Sequence, residues 1–171
     1  MIPSRGETRH AAWIIALFGL VACAVHPVPY VVLDSGVNPG HRTAEPRVEV
    51  ITDAATWRRV FADVHSNQLP IPPSPDVDFD RAVVVLVMLD PKPTAGYTLH
   101  VARVSRQRST VRVEVHVGRP DRDRMAAAVM TQPYVMLQVD RDSGLETVEI
   151  AWDDQRVETV AIAEPDMTRG R

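Results

Sequence analysis

Cys23 supplies the only thiol in this chain of 171 residues. A thiol can be acylated, oxidised or bound to metal, and its surroundings choose among these. Arg5, Arg9 and His10 come first, then an apolar run from Ala11 to Ala22, then the cysteine. A basic head, a short apolar core and a small residue at the cut describe a secretory signal. Spanning a bilayer takes roughly 20 apolar residues, so a short membrane helix is the weaker alternative. A cut before Cys23 would expose its thiol at a new N-terminus for lipid attachment. Stable anchoring needs more than one acyl chain.

Other residues that could do chemistry form weaker patterns. Asp76, Asp78 and Asp80 alternate like the start of a calcium loop. Such a loop requires glycine at its sixth position and glutamate at its twelfth. Here those positions hold Arg81 and Val87, so the segment reads as a solvated loop with Phe79 turned inward. Asp140 to Glu146 reads as a turn. His100 and His116 fall on the polar faces of two neighbouring strands, diagonally across a hairpin. Two histidines without a third ligand make a poor zinc site. No metal and no cofactor are expected. No Gly-x-Ser-x-Gly elbow and no glycine-rich phosphate loop occur, and the chain is not expected to be an enzyme.

Two loops look built for contact. Pro91-Lys92-Pro93-Thr94-Ala95-Gly96-Tyr97 leaves an apolar strand with two prolines and a glycine. Thr131-Gln132-Pro133-Tyr134 again sets proline beside an aromatic. Stiff loops bearing tyrosine lose little entropy on binding. Pro93, Thr94, Gly96, Tyr97, Pro133 and Tyr134 are therefore the candidate partner-binding residues. The competing reading has these residues simply turning the chain and packing on the core.

The elements that must carry these loops are mostly strands. Arg47 to Ile51 reads as a strand, followed by Thr52 as a helix N-cap and Asp53 in the first turn. Trp57, Val60, Phe61 and Val64 recur at helical spacing and predict one amphipathic helix ending near His65 to Asn67. Pro70, Pro72, Pro73 and Pro75 exclude regular structure after it. Ala82 to Leu89 is a continuous apolar run, the pattern of a strand buried on both faces. Tyr97 to Val101 and Val111 to Val117 alternate and suggest a hairpin. Val129 to Met130, Tyr134 to Val139, Thr147 to Trp152 and Val157 to Ile162 extend the sheet pattern. Closely spaced strands imply a mainly β fold, an antiparallel sandwich or barrel with one helix, which also fits an α+β class.

Residues 1–22 are the expected signal peptide and residues 23–46, rich in proline and glycine, a tether and irregular segment. Within the latter, Tyr30 to Leu33 is a candidate docked strand. Residues 47–163 form the β domain and 164–171 a frayed tail. The full chain carries a net charge of −3. Removing Arg5, Arg9 and Glu7 with the signal makes it −4, which argues against a nucleic-acid partner. After acylation of the lone cysteine no intrachain disulfide is possible, so the core must be held by burial.

The stretch Leu20-Val21-Ala22-Cys23 resembles a bacterial lipoprotein lipobox. The span from about Tyr30 to Asp140 resembles the PrcB-like family of bacterial envelope proteins. The matching pieces are Ser35-Gly36-Val37-Asn38, Trp57, Val77-Asp78-Phe79, Pro93-Thr94-Ala95-Gly96-Tyr97 and Gln132-Pro133-Tyr134. Asp90 and Ala95 stand where the family often has glycines. The resemblance implies a non-catalytic, membrane-anchored lipoprotein that binds or stabilises another envelope protein, plausibly a protease. The implied location is the cell envelope, facing periplasm or exterior. The proline loop is also similar to a loop of chagasin-type cysteine-protease inhibitors, which are immunoglobulin-like sandwiches. That likeness implies loop-based protease inhibition as the first alternative, although their paired-glycine loop is absent. A small-ligand-binding envelope domain is the second.

Overall fold

A computed structural model describes residues 25–121, 123, 125–142 and 144–162. The expected signal peptide, Cys23 and the 164–171 tail lie outside them. Nine strands and one helix are assigned among the described residues. They run β1 (His26–Pro27), β2 (Tyr30–Gly36), β3 (Arg47–Ile51), α1 (Ala54–Val64), β4 (Ala82–Met88), β5 (Thr98–Gln107), β6 (Thr110–Gly118), β7 (Tyr134–Asp140), β8 (Thr147–Trp152) and β9 (Val157–Ala161). One sheet has the order β1-β5-β6-β8-β9 and the other β2-β7-β4-β3. The described residues form a sandwich, and no closed barrel forms among them. Its pairings are antiparallel except β6 with β8, which run parallel. A parallel pair cannot be joined by a tight turn, and here the chain crosses to the other sheet through β7 between them.

The segment expected as a tether contributes β1 and β2. His26 pairs with Arg106, and Tyr30 opens an edge strand against β7. Val28 N–H donates to the Val104 carbonyl at 3.0 Å between them. The prolines at 27 and 29 suit an edge, where a missing N–H costs no ladder bond.

β4 is buried along its whole length, as its unbroken apolar run requires. Side chains alternate across a strand, so β4 serves two cores. Val83, Val85, Val87 and Leu89 face the other sheet, with Val113, Leu137 and Ile150. Val84, Leu86 and Met88 face α1, meeting Trp57, Val60, Phe61 and Val64. The helix stripe is the one its periodicity predicts. Trp57 also holds the proline-rich segment, its Nε1–H donating to the Pro75 carbonyl at 2.8 Å. Phe79 packs half-buried against this second core.

The N-cap is Asp53, one residue after the expected Thr52. Its carboxylate accepts from Ala55 N–H at 3.0 Å and Thr56 N–H at 2.9 Å. The Thr56 bond is the main reason its pKa lies below the ordinary carboxylate value. A depressed carboxylate stabilises the fold above its unfolded pKa, and that contribution is lost as pH falls through the folded value. Asp53→Ala is therefore expected to destabilise by about 1 kcal/mol at neutral pH, with the difference vanishing in acid. Urea titrations of both proteins at pH 7 and pH 3 check this.

Candidate functional site

The two ends of the sandwich differ. One end holds β1, the β5–β6 turn and the β7–β8 turn. The other gathers the loops between β2 and β3, β4 and β5, β6 and β7, and β8 and β9. Both contact loops expected from the sequence lie at this second end.

Those loops are fastened to one another. Lys92 N–H donates to the Thr131 carbonyl at 2.7 Å, and Thr131 N–H returns a bond to the Lys92 carbonyl at 2.9 Å. Thr131 Oγ1–H donates to the Thr94 carbonyl at 3.1 Å, and Ala95 N–H to the Ala127 carbonyl at 3.0 Å. Gly96 has φ +95°, a conformation glycine adopts without a Cβ penalty, and a Cβ there would lie 2.9 Å from Pro120. Lys92 reaches Asp90 at 2.7 Å and stands 5.8 Å from the Tyr97 ring centroid.

The candidate residues divide between this surface and the core. Pro93 and Gly96 are exposed, and Thr94 and Tyr97 are half-buried. Pro133 is buried, and its carbonyl accepts from Leu89 N–H at 2.9 Å. Tyr134 is only 5% exposed and belongs to the core beneath α1. Alternation along β7 turns it away from the loop surface. Val129, Met130 and Met125 instead expose apolar side chains in the β6–β7 loop, Met125 completely.

Tyr134 anchors a polar network that the sequence reading did not anticipate. Its hydroxyl donates to Asp34 Oδ2 at 2.9 Å, the oxygen that also meets His65 Nε2 at 2.9 Å. Gln68 Nε2 lies 2.9 Å from His65 Nδ1. An amide nitrogen donating to Nδ1 leaves Nε2–H to donate to Asp34. Burial, reinforced by the Asp34 charge, pushes the Tyr134 hydroxyl well above the usual tyrosine range. The pairing of β2 with β7 shifts register between Val32 and Asp34. Such a bulge re-aims side chains, and both Leu33 and Asp34 reach the α1 side of the sheet. Gly36 lets the Tyr134 ring lie flat against β2, since a Cβ there would approach it to 2.8 Å. One signal for His65 was present: it follows Phe61 by four residues on the apolar helix stripe. This network fastens the edge strand to the helix.

Gln132 is the second fastening. Fully buried, it donates from Nε2 to the Leu89 carbonyl at 2.8 Å and to Thr43 Oγ1 at 2.8 Å. Its Oε1 accepts from Thr43 N–H at 3.2 Å. Three of the four loops at this end are thereby tied together.

His100 and His116 pair directly across β5 and β6, rather than diagonally. His116 turns to Asp153 at 3.1 Å. Asp153 sits below the usual carboxylate range mainly because it accepts from Val117 N–H at 2.7 Å. No group of three or more potential metal ligands occurs among the described residues. None of their helices is long and apolar enough to cross a membrane.

Residues 83–140 match the PrcB C-terminal family. The matched span is about a third of the chain and runs from β4 to the end of β7, taking in both contact loops. The PrcB-like span thus includes the fastened surface and the central strands that support it. No curated protein and no solved structure matches the chain significantly. The chagasin-type likeness has no match behind it.

Proposed function

We propose that this chain is a non-catalytic, lipid-anchored envelope protein. Its PrcB-like loop end binds or stabilises another envelope protein, with a protease as the candidate client. The observation that carries this reading is the fastened loop surface, rigid in backbone yet apolar at its tips. Rigid loops keep the entropy cost of association low. Exposed methionine and valine on such a surface suit a protein partner better than solvent.

The position of β1 adds an orientation. Cys23 precedes His26 by three residues, a reach of at most about 10 Å. An acyl group on Cys23 would therefore lie beside the β5–β6 turn, where His26 meets Arg106. β6 has nine residues, so the loop end stands roughly 30 Å away along the strands. The anchor holds one end at the bilayer, and Pro93 and Met130 face outward to a client.

A photo-crosslinking residue placed at position 93 or 109 in intact cells tests this reading. Position 93 is expected to capture one discrete protein band and position 109 to capture none. Equal capture at both positions, or none at 93, contradicts it. Loop-based inhibition stays distinct: the purified protein should leave papain-like peptidases fully active.

A further inference from the structure

A second feature of the loop end is a cleft of about 460 Å³ beside the proline loop, with Asp90 and Lys92 on one wall and the β8–β9 turn on the other. That turn is tightly built. Trp152 N–H donates to the Arg156 carbonyl at 2.9 Å, and Gln155 N–H to the Trp152 carbonyl at 3.0 Å. Asp154 Oδ1 accepts from Arg156 N–H at 3.2 Å. Gln155 adopts φ +65°, in the left-handed region that non-glycine residues seldom enter. The turn lays the Arg156 guanidinium over the Trp152 ring, 4.6 Å from its centroid.

A guanidinium stacked on an indole keeps its in-plane N–H donors free, as a preformed fork for a planar anion. Arg156 has no ion pair among the described residues; Arg119, which also lines the cleft, forms none within 4 Å, although its charge helps hold Asp153 ionised. Trp152 is 5% exposed, yet its Nε1–H has no acceptor among the described residues. A buried donor without a partner calls for an explanation. Three of the carboxylates present already accept hydrogen bonds, Asp90 from Lys92, Asp153 from Val117 N–H and Asp154, through one oxygen, from Arg156 N–H. Glu45 and the second oxygen of Asp154 remain on the lining.

We propose that this cleft binds a peptide carboxylate, with the stacked Arg156 as its fork and Arg119 as a second cation. The remaining carboxylates set the charge limit. They would repel a doubly charged phosphate, whereas a singly charged carboxylate next to peptide N–H groups meets both kinds of partner. The carboxylate belongs either to a free C-terminus or to an aspartate or glutamate side chain. The proposal rests on the partner-binding reading for its use in the cell, and on the cleft alone for the binding itself.

The test titrates the full chain, purified in detergent, with three alanine-rich hexapeptides by calorimetry. One has a free C-terminus, one is amidated, and one is amidated with a single internal glutamate. Binding of the first or the third, but not of the second, supports the proposal and names the source. Arg156→Gln is expected to weaken that binding roughly tenfold or more, the loss of a charge-assisted pair, while lowering the melting temperature by only a few degrees through the lost stack on Trp152. Arg119→Gln is expected to weaken it less. Equal binding of all three peptides, no binding of any, or an unaffected Arg156→Gln variant overturns the proposal. Capture from position 93 would survive such a failure, so the two readings fail separately.

Discussion

Replacing Gln132 with leucine is expected to cost roughly 3 kcal/mol or more in a urea unfolding titration, the cost of leaving several buried groups unpartnered. Leucine nearly preserves the volume and removes every side-chain hydrogen bond. The Leu89 carbonyl, the Thr43 N–H and the Thr43 hydroxyl all lose their Gln132 partner. The backbone bond from Gln132 N–H to the Val37 carbonyl, 2.7 Å, would remain. The loss should be accompanied by faster amide exchange at residues 43 and 89, because the loops they belong to come apart. Met125→Gln offers the contrast. Its side chain is fully exposed, and a change within about 0.5 kcal/mol is expected.

The second large effect comes from Asp34. Asp34→Ala leaves the Tyr134 hydroxyl and His65 Nε2–H inside the fold with no acceptor. A loss of about 2–4 kcal/mol is expected by the same measurement. Asp34→Asn should cost less, since an amide oxygen can accept both donors. The network also sets an alkaline limit. The Tyr134 pKa is raised above its unfolded value of 10.0. Above that value the unfolded chain releases the proton while the folded chain retains it, so stability falls as pH rises. Below pH 10 the contribution is complete. Tyr134→Phe should flatten the alkaline part of the curve while lowering the plateau, through loss of the bond to Asp34. A variant that keeps the wild-type alkaline slope would place the titration on another residue.

What could be read from the sequence follows periodicity. The helix stripe of Trp57, Val60, Phe61 and Val64 and the uninterrupted valines of β4 have one physical use each. Burying one face requires spacing of three and four, and burying both faces requires a run. These patterns gave a mainly β fold, sandwich or barrel, with one amphipathic helix, and the folded chain takes the sandwich. The parallel pairing of β6 with β8 was not legible, because strand neighbours are decided by which faces meet across the whole chain. β1 was hidden by its prolines, which in isolation signal a loop and here occupy an edge.

The site was legible only by half. Proline and glycine correctly marked the Pro91 to Tyr97 loop, whose shape depends on Gly96. Tyr134 looked the same in sequence as Tyr97. One additional strand residue decides which way a ring points, and that register fixes Tyr134 in the core. Asp34, His65 and Gln132 escaped notice because single polar residues carry no period. Their roles arise from partners 31, 100 and 89 positions away. The Arg156–Trp152 stack is local, but it depends on the turn at Gln155 folding back.

The most direct measurement is the intact mass of the protein recovered from the membrane fraction of its host cells. A chain beginning at Cys23, heavier than its amino acids by a thioether-linked diacylglycerol and releasing fatty acid on alkaline hydrolysis, is the predicted result. A soluble chain still carrying residues 1–22, with the Cys23 thiol open to alkylation, would contradict the account.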